Sequence, residues 1–261
     1  MQITDCTLCL LPGSYEQERL VELNMLFTSL PITIEYPEKM ESTFKDNGVL
    51  RKNNKVMSCL PPKIDFLIPY FGKNIKKHNE ILFPSNDLGL AGAIACGEVL
   101  AGGRVRTSFG GLNNMAATEE VLVAAYVLER GQQIEQLKIL PKIAVLLQKL
   151  TGMGIPLHKP IIGENIFMVE SGIHVDGILK NPELYEPFPP EIVGQNRRIV
   201  LGSHSGRVSI KEKLREFNIA CDEKTVDLLL QYVKAEGKRL KRHLTDAEFL
   251  SIVGRKYGKQ S

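Results

Sequence analysis

Two histidines, a tyrosine and several carboxylates are gathered in one run, Lys159 to Arg207, that is punctuated throughout by glycines and prolines. Its sharpest stretch reads Glu170-Ser171-Gly172-Ile173-His174-Val175-Asp176-Gly177. Side chains of these types can hold and move protons, so polar chemistry would be built here. Little helical or alternating periodicity runs through the segment, which points to turns around polar groups rather than to a packed element. Gly172 and Gly177 bracket Ile173 to Asp176, and the backbone freedom of glycine lets such a bracket fix the direction in which His174 points. A histidine between aliphatic residues is by itself more often structural than catalytic.

The cysteines offer less. Cys6 and Cys9 form a C-x-x-C, but Cys59, Cys96 and Cys221 stand alone, and a zinc site needs two further ligands at suitable spacing. Five thiols, without a secretory signal, read as reduced. The 33 Lys and Arg against 30 Asp and Glu leave a net charge of +3, too small to argue for nucleic acid. No apolar run approaches the roughly 20 residues that span a bilayer. The start MQITDCTLCL lacks the basic opening and cleavage site of a signal peptide. A cytoplasmic protein with no membrane or nucleic-acid partner is therefore expected. With 43% hydrophobic residues, 261 residues can build one large domain or two modest ones.

The elements that must position these groups follow from periodicity. An apolar strand is expected over Gln2 to Leu11, ending at Pro12-Gly13, then a helix from Tyr15 to about Phe27 and a strand over Ile32 to Tyr36. That order implies a parallel α/β unit. Ile64 to Ile68 is apolar again. Leu88 to Ala101 reads as an amphipathic helix, Val105 to Phe109 as a strand, and Thr118 to Arg130 as a helix with Gly131 as C-cap. Gln132 to Leu150 reads as a helix broken or bent near Pro141. Further helices are expected over Ser209 to Phe217, after the cap Asp222, and after the capping box that starts at Thr245. The basic run Lys238 to His243 reads as a solvated helix end.

Five stretches resemble one family. Lys159-Pro160-Ile161-Ile162-Gly163, Glu170 to Gly177, Tyr185 to Glu191, Val193-Gly194 and Leu201 to Arg207 are collinear with the segment after the catalytic barrel in homocitrate and isopropylmalate synthases, particularly the nitrogen-fixation-type homocitrate synthases. Asp5-Cys6-Thr7-Leu8-Cys9-Leu10-Leu11 is similar to the family's opening D-T-T-L-R-D-G-E-Q, and Ile34-Glu35-Tyr36-Pro37 to its I-E-x-G-x-P. Phe83 to Ala91 resembles H-x-H-N-D-x-G-x-A, keeping Asn86 and Asp87. Ser108 to Met115 stands where the family has G-L-G-E-R-A-G-N.

The resemblance implies an α/β fold: an incomplete (β/α)8 TIM-barrel-like domain over residues 1–150, a loop-rich linker over 151–207 and a small helical C-terminal subdomain over 208–261. A complete barrel takes about 250 residues, so several middle strands between the second strand and the Phe83 motif are expected to be lost, leaving open strand edges. It also implies an acetyl-CoA-dependent condensation with a 2-oxo acid, 2-oxoglutarate in the homocitrate case. The family's divalent ion is held by an acid, two histidines and commonly an asparagine; those positions fall on Leu10, Phe83, Ser85 and Met115, or Asn114 if the alignment slips by one. No metal is expected on this chain. The family's trans-acting histidine and tyrosine, which reach a neighbouring subunit's active site, match His174 and Tyr185. Glu170 is expected to join them, and Asn86, Asp87, Ser171 and His204 to touch substrate. The implied assembly is an alpha-type subunit beside a barrel-bearing omega-type subunit that holds the metal, as in homocitrate synthases that serve nitrogenase cofactor synthesis. A regulatory or scaffold relative, or an isopropylmalate- or citramalate-synthase-like subunit, are the alternatives.

Overall fold

The computed structural model describes residues 2–11, 17–35, 56–58, 81–128 and 135–257. The chain divides into two compact units, residues 1–166 with 192–194 and residues 167–191 with 195–261. The readings at Pro12-Gly13, Tyr15, Tyr36, Cys59, Ile64 to Ile68 and Gly131 lie outside the described residues.

In the first unit β1 (Ile3–Asp5), β2 (Thr33–Ile34), β3 (Val56–Ser58), β4 (Ile81–Phe83) and β5 (Val105–Thr107) form one parallel sheet in the order β2-β1-β5-β4-β3. Ile3 pairs with Val105 and Asp5 with Thr107. Ile3 and Val105 are fully buried, as expected of parallel strands covered on both faces. A (β/α)8 barrel sets its strands round a ring in chain order and returns the last beside the first. Here β5 returns to β1 in that way, while β2 and β3, consecutive in the chain, end the row on opposite sides. The sheet is thus an incomplete barrel among the described residues, keeping the seam between first and last strands and opening after the second.

The expected first strand is cut short, because the Asp5 carboxylate accepts the Thr7 amide at 2.8 Å and turns the chain into α1 (Thr7–Leu10). A short acid that bonds the backbone two residues on competes with strand pairing in this way. Around the sheet lie α2 (Gln17–Thr28), α3 (Ala91–Leu100), α4 (Thr118–Leu128) and α5 (Leu140–Thr151). Pro141 stands in the first turn of α5, where its missing N–H costs nothing, so of the break or bend expected there the structure has the break: a 3-10 turn over Glu135–Ile139, then the α-helix. Phe27 and Phe109 meet edge to face at 5.8 Å in the core.

The second unit begins with β6 (Met168–Val169), parallel to β7 (Arg198–Ile199). Between them runs α6 (Gly172–Lys180), where turns were expected. Neither Gly172 nor Gly177 has a positive φ. Both glycines serve close packing: a Cβ on Gly172 would lie 2.5 Å from Gly206 Cα. Their presence masks the apolar pattern of Ile173, Val175, Ile178 and Leu179, of which Val175 is buried.

Three helices complete this unit: α7 (Arg207–Glu216), α8 (Glu223–Leu240) and α9 (Asp246–Tyr257). Asp222 Oδ1 accepts the Thr225 amide at 2.8 Å and starts α8. Thr245 and Glu248 form the reciprocal capping box, with the Thr245 amide on Glu248 Oε2 at 2.8 Å and the Glu248 amide on Thr245 Oγ at 3.2 Å. Leu201, Ile210, Leu214, Val226, Leu229, Val233, Leu244, Phe249 and Val253 make a core of their own. Among the described residues no helix is long and apolar enough to cross a membrane.

Candidate functional site

In the first unit, strand ends and the loops after them bring three of the four ligand positions together. Phe83 ends β4, and Ser85 forms an antiparallel bridge with Met115. Cys6 Sγ lies 3.6 Å from Met115 Sδ. The Arg106 guanidinium stands 5.8 Å from the Phe83 ring centroid and pairs through Nη2 with Glu35 Oε1 at 2.8 Å. Phenyl, thioether and isobutyl groups at Phe83, Met115 and Leu10 are not donors for a hard divalent ion. The residues present therefore do not fit the family's metal. Among the described residues no group of three or more His, Cys, Asp or Glu side chains is arranged to hold one.

Polar groups remain beside those positions, bonded to one another. Ser85 Oγ donates to Asp87 Oδ2 at 2.7 Å and Asn114 Nδ2 to Asp87 Oδ1 at 2.6 Å. Asn86 Oδ1 accepts the Ala91 amide at 3.1 Å and so caps α3. Asn86 also lines a cleft of about 640 Å³ between α3 and α4, with Gly92, Cys96, Gly110, Glu120 and Lys159.

Two buried carboxylates of this unit were not singled out by the sequence reading. Glu119 is fully buried, accepts the Gly110 amide at 2.9 Å and stands 3.6 Å from Lys159 Nζ. Burial pushes its carboxyl up to about 7, against the pull of Lys159. Asp5 is likewise pushed up to about 6 by burial, although Thr118 Oγ and the Thr7 amide donate to it. In an opening motif aligned on its later arginine and acid, nothing marks the leading aspartate as buried.

A carboxyl whose folded-state pKa is raised stabilises the fold fully below the unfolded value, and that contribution is lost as pH rises through the folded value. For Asp5 the window runs from 3.8 to about 6 and amounts to about 3 kcal/mol. The Asp5 contribution, read as the difference in denaturation midpoint between wild type and Asp5→Asn, is expected to fall between pH 4 and pH 6. Asp5→Asn keeps the Thr7 amide bond on its oxygen and reverses the other, its NH2 donating to Thr118 Oγ, so it should remove that one-proton slope. An identical slope in the variant would count against the burial argument.

The second unit carries the remaining groups. His174 and Tyr185 are both exposed, and their rings meet near edge-on, centroids 5.8 Å apart at 65°. His174 is set by α6; Tyr185 follows the turn Pro182–Leu184, its amide on Pro182 O at 2.9 Å. Ile173 and Leu184, 79% and 76% exposed, extend an apolar surface beside the pair. Glu170 Oε1 accepts the His204 amide at 2.8 Å, and His204 O accepts the Gly172 amide at 3.3 Å, so the turn over 201–206 is tied to the start of α6. Ser171 is the N-cap residue of α6 without a side-chain cap bond. Glu170, Ser171, His174, Tyr185 and His204 thus belong to one unit, and Asn86 and Asp87 to the other.

The first unit is thus a parallel β/α sheet with a barrel seam, and the second a small helical unit that presents a histidine–tyrosine pair, as the resemblance implies. Comparison with known proteins agrees. Residues 161–241 match the family model described as homocitrate synthase post-HMGL domain-like. The omega subunit of homocitrate synthase from Clostridium pasteurianum is 36% identical over 194 residues, 73% of this chain and 55% of that protein. A probable 2-isopropylmalate synthase from Ignicoccus hospitalis is 39% identical over 181 residues, 68% of this chain and 45% of that protein. Homocitrate synthase 1 from Nostoc sp. is 39% identical over 175 residues, 64% of this chain and 46% of that protein. The matched part of this chain belongs to the alpha-isopropylmalate/homocitrate synthase superfamily. The chain spans about half the length of these relatives. The match to the omega subunit is longer than the 158 residues ahead of Lys159, so it is not confined to a barrel half.

Proposed function

We propose that this chain is a subunit of a homocitrate synthase that condenses acetyl-CoA with 2-oxoglutarate. It acts in the alpha-type role beside an omega-type partner whose barrel holds the divalent ion and most of the oxo-acid site. One observation carries the reading: the first unit has apolar side chains at three of the four ligand positions, while the second holds His174 and Tyr185 together on an exposed apolar surface. A surface of that kind, bearing paired polar groups, suits insertion into the mouth of a neighbour's site. There the imidazole and phenol would stand near the acetyl group, whose methyl must lose a proton before it can attack the oxo acid. Removing a proton from so weak a carbon acid demands close placement, which a preformed pair supplies. Glu170, Ser171 and His204 would hold the pair's helix and border the same space; Asn86 and Asp87 would border substrate on the barrel side.

The test is acetyl-CoA-dependent homocitrate formation by this chain, by the barrel-bearing partner, and by the two mixed. Activity in the mixture alone supports the split synthase. Equal activity of the partner alone would make this chain a scaffold or regulator. A second reading, with another 2-oxo acid, is favoured by relatives named citramalate or isopropylmalate synthase, which match at 36–40% where the homocitrate synthases match at 34–39%. A panel of 2-oxo acids in the same mixture separates the two.

A further inference from the structure

We propose that Gly177 is a positioning residue, the slot that seats the Tyr185 ring against His174. Gly177 lies three residues after His174 on α6, nearly one turn on. A Cβ placed on it would stand 2.2 Å from Tyr185 Cζ, 2.3 Å from Oη and 2.4 Å from Cε2. Those separations are far inside van der Waals contact, so the phenol occupies the volume that any other side chain would take. Backbone conformation does not call for glycine here: Gly177 is absent from the positive-φ glycines and sits inside a helix, where alanine is the better former. Space is the remaining reason.

The chain beyond the helix brings the ring to that slot. The Asn181 amide bonds Gly177 O at 2.8 Å and closes α6; the turn Pro182–Leu184 then reverses the chain, so that Tyr185 comes back over the last full turn. The ring edge reaches the His174 imidazole at 5.8 Å between centroids. Tyr185 is 44% exposed, so a methyl group at position 177 can push its ring into solvent without moving backbone. Gly177→Ala should therefore keep α6 and lose the pair.

What the pair does rests on the split-synthase reading; how it is held does not. The experiment has two arms. In this chain alone, the His174 ring-proton resonances, assigned by their loss in His174→Ala, report the nearby phenol. Gly177→Ala and Tyr185→Leu are expected to move them to the same positions, with the double variant indistinguishable from Tyr185→Leu. Resonances left at wild-type positions by Gly177→Ala would overturn the proposal. In the mixed assay, Gly177→Ala should lower turnover by up to about 10²-fold, the order of loss that follows misplacement of a reacting group, and should add nothing in the Tyr185→Leu background. Shifted resonances with unchanged turnover would leave the positioning intact and sink the trans-acting role instead. Should Gly177→Ala lower the melting temperature, adding Tyr185→Leu must restore it; failure to do so would put the clash elsewhere and overturn the proposal.

Discussion

Replacing His174 by alanine is expected to cut turnover of the two-chain mixture about 10²- to 10⁴-fold, the range lost with a general acid–base group, while the complex still assembles. The substitution is structurally mild. His174 is exposed on α6, whereas its neighbour Val175 holds the helix to the unit and is buried. Removing the imidazole leaves no cavity, and no side-chain hydrogen bond to it is seen among the described residues. Co-elution of the two chains, measured beside the rate, separates chemistry from assembly. His158→Ala is the control: this exposed histidine belongs to the first unit and has none of the proposed roles, so its loss should leave turnover unchanged. Unchanged turnover in His174→Ala would remove the trans-acting role from this residue.

Phe249→Ala should lower the stability of the second unit by about 3–5 kcal/mol, the usual cost of emptying a buried aromatic site. Phe249 is 1% exposed and tilts against Phe217 at 6.4 Å, joining α9 to the end of α7. The consequence reaches the candidate site by a traceable route. The loop before α9 bonds back through the Leu244 amide to Leu201 O at 2.7 Å, and Leu201 opens the turn whose His204 carbonyl holds the first amide of α6. Amide hydrogen exchange should rise across 172–180 and 201–253 together. Faster exchange confined to α9 would show that the site does not depend on this core.

The sequence was most readable where local chemistry is self-contained. Asp222 and the Thr245–Glu248 box announced their helices because a cap needs only a few adjacent residues. The seam between β1 and β5 was legible only through the resemblance, since no local rule joins Ile3 to Val105 across about a hundred residues. The α6 helix was missed because glycines at 172 and 177 look like turn residues until the partners that need their space, Gly206 and Tyr185, are in place. The same holds for the site. Types and order of His174 and Tyr185 were visible; their contact, and the seat that sets it, depend on the chain doubling back. Asp5 and Glu119 were passed over because burial belongs to the fold and not to the residue.

The seam has a kinetic consequence. β1 leaves the ribosome well ahead of β5, to which it bonds, so that edge waits for about a hundred further residues before it is covered. The helices of the second unit, by contrast, contact near neighbours in the chain and close within 47 residues, from Arg207 to Val253. Non-local parallel pairing is slow because a long loop must be closed before any contact repays it. The second unit should thus fold ahead of the first: refolding followed by amide protection is expected to protect 207–253 before 3–5 and 105–107. Until the seam closes, the unpaired β1 edge is open to pairing with another chain, and so to aggregation.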